Sequence, residues 1–519
     1  MKKWLGVLLG VAVLVGATVV FLTHRAAQQR ERDRREASAI GMRFLSDWPA
    51  KRYDDMGLAT ASDHDAGESF HNLETRLSVS KVVVAPAALS RDGKHLPFHV
   101  TVTMRGLGDL AWDNALSLVK TSQGWRVDFH SSTVFPGMQN GQLLHRSQAL
   151  TARGQIVDRH GNPIRAVSED LAANVLGSLN AEKTGLERLY DSQLTGSSGG
   201  DVDVVDAADG QVVRVVQHFP PRAPAPVMTT LDLPMQRAAE AALAGIGVPS
   251  AIVVLDTRTG EVRAIANRPV AGLPAAFVAQ APGSTFKVVV AAAALLHGYT
   301  PATMVNCPAT VVFGGKKFTN DTTLPTRMTL AQAFALSCNT AFLSVADTFP
   351  KGTLRTTAAL FGFGRGPLLP TGAEGGDVPL PSDTTEAYAD VIGQGRVQAS
   401  PLLLASMSAA VASGTWHQPH LVTGGAPSIS LPSQILAPLQ QMMAGVVTSG
   451  TASTAGLPLG TRGKTGTAEF GTATPPATHA WFTGFRGGLA FCVYVETGAS
   501  GGTVAAPVAA RFLRAIPGP

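Results

Sequence analysis

The chain opens on an almost unbroken apolar run from Trp4 to Thr23, preceded by Lys2 and Lys3. At a rise of about 1.5 Å per residue, a helix of that length crosses a hydrocarbon core of ~30 Å. The pattern predicts an uncleaved membrane anchor over residues 1–24. A cleaved signal is the alternative, with Val15 and Ala17 as a weak cleavage site, but the apolar run continues past it. Polar positions then take over. Arg25, Arg30, Arg32, Arg34 and Arg35 alternate with Glu31, Asp33 and Glu36, a charged helix to about Ser38. From Ala39 to Leu58 the apolar positions Ile40, Phe44, Leu45 and Trp48 have helical spacing. The period then changes to that of strands at Val82–Val84, His99–Val102, Leu116–Val119 and Trp125–Phe129. Turn signals separate them at Arg91-Asp92-Gly93 and Ser122-Gln123-Gly124. A helix followed by a curved antiparallel sheet reads as a small α+β roll within residues 25–148.

Residues 149–226 read as a separate short domain. Arg153 to Gly161 suggests a strand leading into a turn at Gly161-Asn162-Pro163, and Gly185 to Tyr190 a short helix. Arg222-Ala223-Pro224-Ala225-Pro226 is a stiff linker. The remaining residues, 227–519, begin with a helix at Leu233–Leu243. Strands Ala251–Leu255 and Glu261–Ile265 follow, joined by Thr257-Arg258-Thr259-Gly260. A second hairpin, His479–Phe485 with Leu489–Val495, turns at Gly487-Gly488, and a last helix runs from Val504 to Ile516. Between the hairpins, Ser284 to about Val447 is rich in Ala and Leu with helical periodicity. One antiparallel sheet with strands from both ends, flanked by helices and interrupted by a helical insertion, is a multidomain α+β architecture.

Composition narrows the function. Hydrophobic residues make up 45% and charged residues 15% of 519, enough apolar side chain for several cores. The net charge of +5 is scattered, without an aromatic-interleaved basic stripe, so no nucleic-acid partner is expected. Cys307, Cys338 and Cys492 form no metal-ligand spacing, and neither a metal nor another cofactor is expected.

The chemistry starts at Pro282-Gly283-Ser284-Thr285-Phe286-Lys287. Pro and Gly break the chain before a long apolar run, so Ser284 starts a helix and Lys287 lies one turn on, on the same face. A serine hydroxyl needs an adjacent base, and a lysine serves if burial or a neighbouring cation lowers its pKa. Alone, Ser284 would be a helix cap and Lys287 a surface residue. Two further groups change this. Ser337-Cys338-Asn339 lies between helical runs. Lys464-Thr465-Gly466-Thr467 leads into the last strands, with Gly466 marking a close backbone approach. The three together, in this order, carry the signal.

Ser284-Thr285-Phe286-Lys287, Ser337-Cys338-Asn339 and Lys464-Thr465-Gly466 resemble the three signatures of the penicillin-binding proteins and serine β-lactamases. Thr229-Thr230-Leu231-Asp232 with Gln236, Gly260-Glu261-Val262, Gly393-Gln394-Gly395 and His479-Ala480-Trp481-Phe482 resemble the penicillin-binding transpeptidase domain. The segments at Arg153–Gly161 and Gly185-Leu186-Glu187 are similar to the pedestal, or dimerisation, domain of the class B proteins. Residues from Ala39 to about Gln142 resemble the N-terminal extension of the low-affinity penicillin-binding protein of methicillin-resistant staphylococci.

The resemblance implies a peptidoglycan D,D-transpeptidase. Ser284 would attack the D-Ala-D-Ala carbonyl of a stem peptide, with Lys287 as base and the N–H groups of Ser284 and Thr467 as oxyanion hole. Ser337, assisted by Lys464, would pass a proton to the leaving D-alanine. Asn339 would bond a substrate amide, Thr465 and Thr467 would hold the terminal carboxylate, and Gly466 would line the substrate with them. β-Lactams would acylate the same serine. No segment before Arg153 resembles a glycosyltransferase. The substrate lies outside the cytoplasmic membrane. The body is therefore expected on the outer face of a single-pass anchor, although arginines following the apolar run outnumber the lysines before it; long domains translocate largely regardless of such charges. A polytopic membrane glycan polymerase is the expected partner, and the pedestal allows a homodimer. Cys307 and Cys338 flank the active-site helices and are candidates for a disulfide. Rival readings are a D,D-carboxypeptidase, a β-lactamase and a non-catalytic β-lactam sensor. The Pro- and Gly-rich loop from Gly471 to Thr478 marks an unusual lip beyond the third signature.

Overall fold

The computed structural model describes residues 2–61, 66–147, 153–196, 199–221, 223–269 and 274–517, with the side chains of residues 2–21 outside the description. The chain divides into two units: Met1–Arg153 with Thr195–Ala225, and Gly154–Leu194 with Pro226–Pro519.

The first unit begins with a helix, Lys2–Asp47. Proline at 49 cannot donate into the helix and turns the chain, with Lys51 at a positive φ of 58°. The helical spacing read through Leu58 is therefore two helices, the second being Tyr53–Leu58. A further helix, Ala66–Leu77, went unread from sequence although Phe70, Leu73 and Leu77 sit on one buried face. Strands Val79–Pro86, His95–Met104, Gly108–Thr121 and Gly124–Val127 form an antiparallel sheet in chain order. In the second strand Leu96, Phe98, Val100, Val102 and Met104 alternate inward. They pack into a core with Phe44, Trp48, Phe70 and Trp112. The expected anchor falls in the first half of helix Lys2–Asp47, mostly on side chains outside the description. Among the described residues no helix is long and apolar enough to cross a membrane.

The stretch 149–226, expected as one domain, is shared between the units, and hydrogen-bond pairing is the reason. Strands Gly200–Asp206 and Val212–Phe219 continue a sheet begun by Gln142–Arg146 in the first unit. Ile156–Val157 instead pairs in parallel with Val227–Met228 in the second.

The second unit is built on a five-stranded antiparallel sheet. Its order is Val262–Arg268, Ser250–Asp256, Leu489–Val495, Ala477–Arg486 and Arg462–Phe470. Both expected hairpins are present, and strands from the two ends of the unit meet between Ser250–Asp256 and Leu489–Val495. Every residue of Leu489–Val495 is buried, as expected of a strand covered on both faces, here by helices Pro401–Ser413 and Ala506–Ala515. Arg462–Phe470 is left at an edge, where one side of its backbone remains free of sheet pairing. The insertion is not helical throughout. Short antiparallel pairs interrupt it, among them Thr310–Phe313 with Lys316–Thr319 around Gly314-Gly315. Both glycines have positive φ, 56° and 80°, a turn that side chains with a Cβ resist.

Candidate active site

Three segments from distant parts of the second unit meet, one of them the edge strand. The first is the turn at Pro282-Gly283. Gly283 has φ 53°, and a Cβ there would lie 2.3 Å from the Thr467 carbonyl oxygen. Gly393, read from sequence only as a family segment, lies against the same turn and accepts the Gly283 N–H at 2.9 Å. Ser284 is thus the second residue of a tight 3-10 turn, Gly283–Phe286, that runs into helix Lys287–Leu296. Its hydroxyl meets Lys287 Nζ at 3.0 Å. Lys287 is fully buried, not a surface residue.

The second segment is the loop between helices Leu330–Ala335 and Asn339–Ala346. Ser337 sits there at φ 59°, a left-handed conformation that costs a non-glycine residue about 1–3 kcal/mol and marks a constrained position. That conformation turns the Ser337 carbonyl toward Lys287 Nζ at 2.8 Å and brings its Oγ within 3.3 Å. Asn339 Oδ1 completes the set at 2.5 Å. The loop is tied down by the disulfide Cys307–Cys338, so the candidate pair is formed. Asn320 adds to this: it donates to the Pro308 carbonyl at 3.0 Å and accepts the Thr340 N–H at 3.2 Å. The bridge spans 31 residues. A Cys307→Ser variant is expected to lose about 2–4 kcal/mol of stability, read as a lower midpoint in denaturant, and to acylate more slowly because Ser337 and Asn339 lose their tether.

The third segment is the edge strand itself. Lys464 is fully buried and donates to Ser337 Oγ at 2.9 Å and to the Thr465 carbonyl at 3.0 Å. Thr465 Oγ1 bonds Thr451 Oγ1 at 2.6 Å, and Thr467 Oγ1 accepts the Gly501 N–H at 3.4 Å. Gly466 makes the close approach expected of it. A Cβ there would stand 2.7 Å from the Pro282 carbonyl oxygen and 2.7 Å from Thr285 Cγ2. Gly466→Ala is thus expected to push the strand off the Ser284 turn. We expect about 1–3 kcal/mol of lost stability and an acylation rate lower by roughly 100-fold, measured by stopped-flow with a reporter β-lactam.

The electrostatics follow from burial. Desolvation pulls the Lys287 ammonium down to about 7, opposed by the negative charge of Asp321. Lys464 is also held well below the usual lysine range, first by burial and then by the positive charge of Lys287, again opposed by Asp321. A neutral Lys287 amine has two N–H donors and one lone pair. The donors fit the Ser337 carbonyl and Asn339 Oδ1, which leaves the lone pair for the Ser284 O–H.

All the residues singled out from sequence, Ser284, Lys287, Ser337, Asn339, Lys464, Thr465, Gly466 and Thr467, lie in this one region. The supporting segments hold the sheet in place. Thr230 Oγ1 donates to the Val262 and His420 carbonyls, and Asp232 caps helix Leu233–Ala242. Gln236 exchanges two hydrogen bonds with Ile265. Trp481 Nε1 donates to the Ala281 carbonyl at 3.1 Å and so joins the sheet to the Ser284 turn. Sequence reasoning missed Asp321 and Thr451, which stand in no recognisable spacing to the residues they touch. Among the described residues, no group of three or more His, Cys, Asp or Glu side chains is placed to hold a metal.

Residues 250–514, just over half of the chain, match the penicillin binding protein transpeptidase domain, and residues 36–142 match the NTF2-like N-terminal transpeptidase domain. The chain is similar to the peptidoglycan D,D-transpeptidase PbpA of Mycobacterium tuberculosis, with 29% identity covering 80% of this chain and 97% of that protein. The PbpA protein of Mycolicibacterium smegmatis is 30% identical, covering 71% and 86%. Among solved structures, a chain from a study of the structural coordination of polymerization and crosslinking by a peptidoglycan synthase complex superposes with a TM-score of 0.62. It is 26% identical, over 72% of this chain and 92% of that one.

Proposed function

Because the chain belongs to the penicillin-binding protein family of transpeptidases, in its class B branch, we propose that it cross-links peptidoglycan stem peptides through an acyl-enzyme on Ser284. The observation that carries this reading is the buried contact of Lys287 Nζ with Ser284 Oγ, beside the Lys464–Ser337 contact.

In the first half-reaction, Ser284 Oγ attacks the carbonyl carbon of the penultimate D-alanine, and its proton passes to the Lys287 lone pair. The oxyanion faces the N–H groups of Ser284 and Thr467, at the turn and at the unpaired side of the edge strand. Ser337 Oγ, between Lys287 and Lys464, hands a proton to the departing D-alanine nitrogen and recovers one from the lysines. The substrate's terminal carboxylate lies by Thr465, Thr467 and Lys464. Its negative charge favours the protonated form of Lys464 and so offsets the effect of burial on that side chain. In the second half-reaction, an amine of a neighbouring stem peptide attacks the ester carbonyl. The new amide forms, the Ser284–acyl bond breaks and the serine recovers its proton. A β-lactam enters the same way, but its leaving nitrogen stays tethered, so the acyl-enzyme persists.

The reaction requires a substrate found outside the cytoplasmic membrane. We therefore read Trp4–Thr23 as a single-pass anchor with the two units on the outer face, and no glycosyltransferase activity. A membrane glycan polymerase is the partner that would supply uncross-linked strands. The test is chromatography with mass spectrometry on products from a pentapeptide stem donor and an amine acceptor. The expected product is the new amide with release of D-alanine. Tetrapeptide alone, formed by hydrolysis, would make the protein a carboxypeptidase, and rapid turnover of nitrocefin would make it a β-lactamase.

A further inference from the structure

Asn339 presents both ends of its amide to the site. Oδ1 accepts from Lys287 Nζ, while Nδ2 donates to the Thr319 carbonyl at 3.0 Å and to Asp321 Oδ1 at 3.4 Å. A flipped amide would set donor against donor at Lys287 and acceptor against acceptor at Thr319 and Asp321. The two acceptors therefore fix which end meets the lysine. The segment that bears them is itself clamped to the Ser337–Asn339 loop through Asn320, which touches Pro308 and Thr340. Building on the transpeptidase reading, we propose that Asp321 is a positioning residue for acylation: its carboxylate orients the Asn339 amide and supplies the negative charge that faces the buried pair Lys287 and Lys464.

The surroundings leave that charge to Asp321. Helices Asn339–Ala346 and Ser433–Thr448, packed against the helix of Lys287, bear no titratable side chain. Helix Thr353–Ala359 bears only the exposed Arg355. The edge strand bears Lys464, with Arg462 and Glu469 further along it; its partner strand Ala477–Arg486 bears Arg486 and His479, the latter opposite Ala468 and stacked on Phe470; and the strand leading to Asp321 bears the exposed Lys316 and Lys317. Asp321 is the anion that acts on both buried lysines, raising the proton affinity of each against the effect of burial. It is exposed at the rim, so its replacement disturbs no core.

The sign of the effect follows. Removing the carboxylate lets burial lower both lysines further. Lys287 then stays neutral to lower pH, and Lys464 loses its proton at lower pH. The experiment is the second-order rate of acylation of the full chain by a fluorescent penicillin, followed across pH for wild type, Asp321→Asn and Asp321→Glu. Asp321→Asn is expected to move both limbs of the profile to lower pH by about half a unit or more, and Asp321→Glu to restore them toward wild type. Limbs of Asp321→Asn that coincide with wild type would overturn the proposal. So would an equal fall in rate at every pH, the mark of a packing role. A wild type that takes no penicillin would overturn the transpeptidase reading, and this inference with it.

Discussion

Ser284→Ala is expected to abolish covalent labelling by fluorescent penicillin while leaving the fold intact. Removing the nucleophile of a serine acyl-transfer site lowers the rate by about 10⁴-fold or more, and no other hydroxyl takes its place. Ser337 Oγ is held between Lys287 and Lys464, where the proposed mechanism makes it a proton carrier and not a second nucleophile. The stability forecast separates this reading from a structural one. Were Ser284 a helix cap, its loss would cost about 1 kcal/mol. Its hydroxyl bonds Lys287 Nζ instead, and that amine keeps the Ser337 carbonyl and Asn339 Oδ1 as partners, so the denaturant midpoint of Ser284→Ala should match wild type within a few tenths of a kcal/mol. Labelling that survives in the alanine variant would remove Ser284 from the reaction.

Lys287→Gln should be nearly as damaging, with acylation slowed by about 10²–10⁴-fold, the usual worth of a positioned base. Wild type makes a sharper prediction through pH. The lone pair that takes the Ser284 proton exists only on the neutral amine. Burial brings Lys287 to about 7, so the acylation rate should climb about tenfold per pH unit from the acid side and bend over near pH 7. A lysine with its ordinary proton affinity would place that bend above pH 10, roughly three units higher. In Lys287→Gln the acid limb should vanish, leaving a low rate with no bend near pH 7. Acylation by a soluble β-lactam, measured from about pH 5 to pH 9, distinguishes the two cases, and a wild-type rate independent of pH in that range would contradict the assignment.

Much of the fold is written in local patterns. The alternation of Leu96, Phe98, Val100, Val102 and Met104, and both hairpins of the large sheet, can be read because each strand's neighbours in sequence are its partners in space. Long-range pairing is harder. The union of Ser250–Asp256 with Leu489–Val495 was legible from matching strand character at the two ends, but nothing local indicated that Gly200–Phe219 would add to Gln142–Arg146. In the insertion, Ala- and Leu-rich helical spacing concealed short strands, because two or three paired residues carry too little pattern to compete with their surroundings. The side chains that gather at the site were legible by kind and order. Their surroundings were not: the left-handed backbone of Ser337, the complete burial of Lys287 and Lys464, and the carboxylate of Asp321 on a hairpin exit. Those properties arise only when segments far apart in the chain pack together.

The assignment of the acyl group to Ser284 is tested most directly by acylating the whole chain with a penicillin, digesting it and locating the adduct by mass spectrometry. The adduct should sit on the peptide containing Pro282 to Lys287 and fragment to Ser284, at one per chain. An adduct on Ser337 or any other side chain, or protein that remains unmodified after prolonged exposure, would contradict the account.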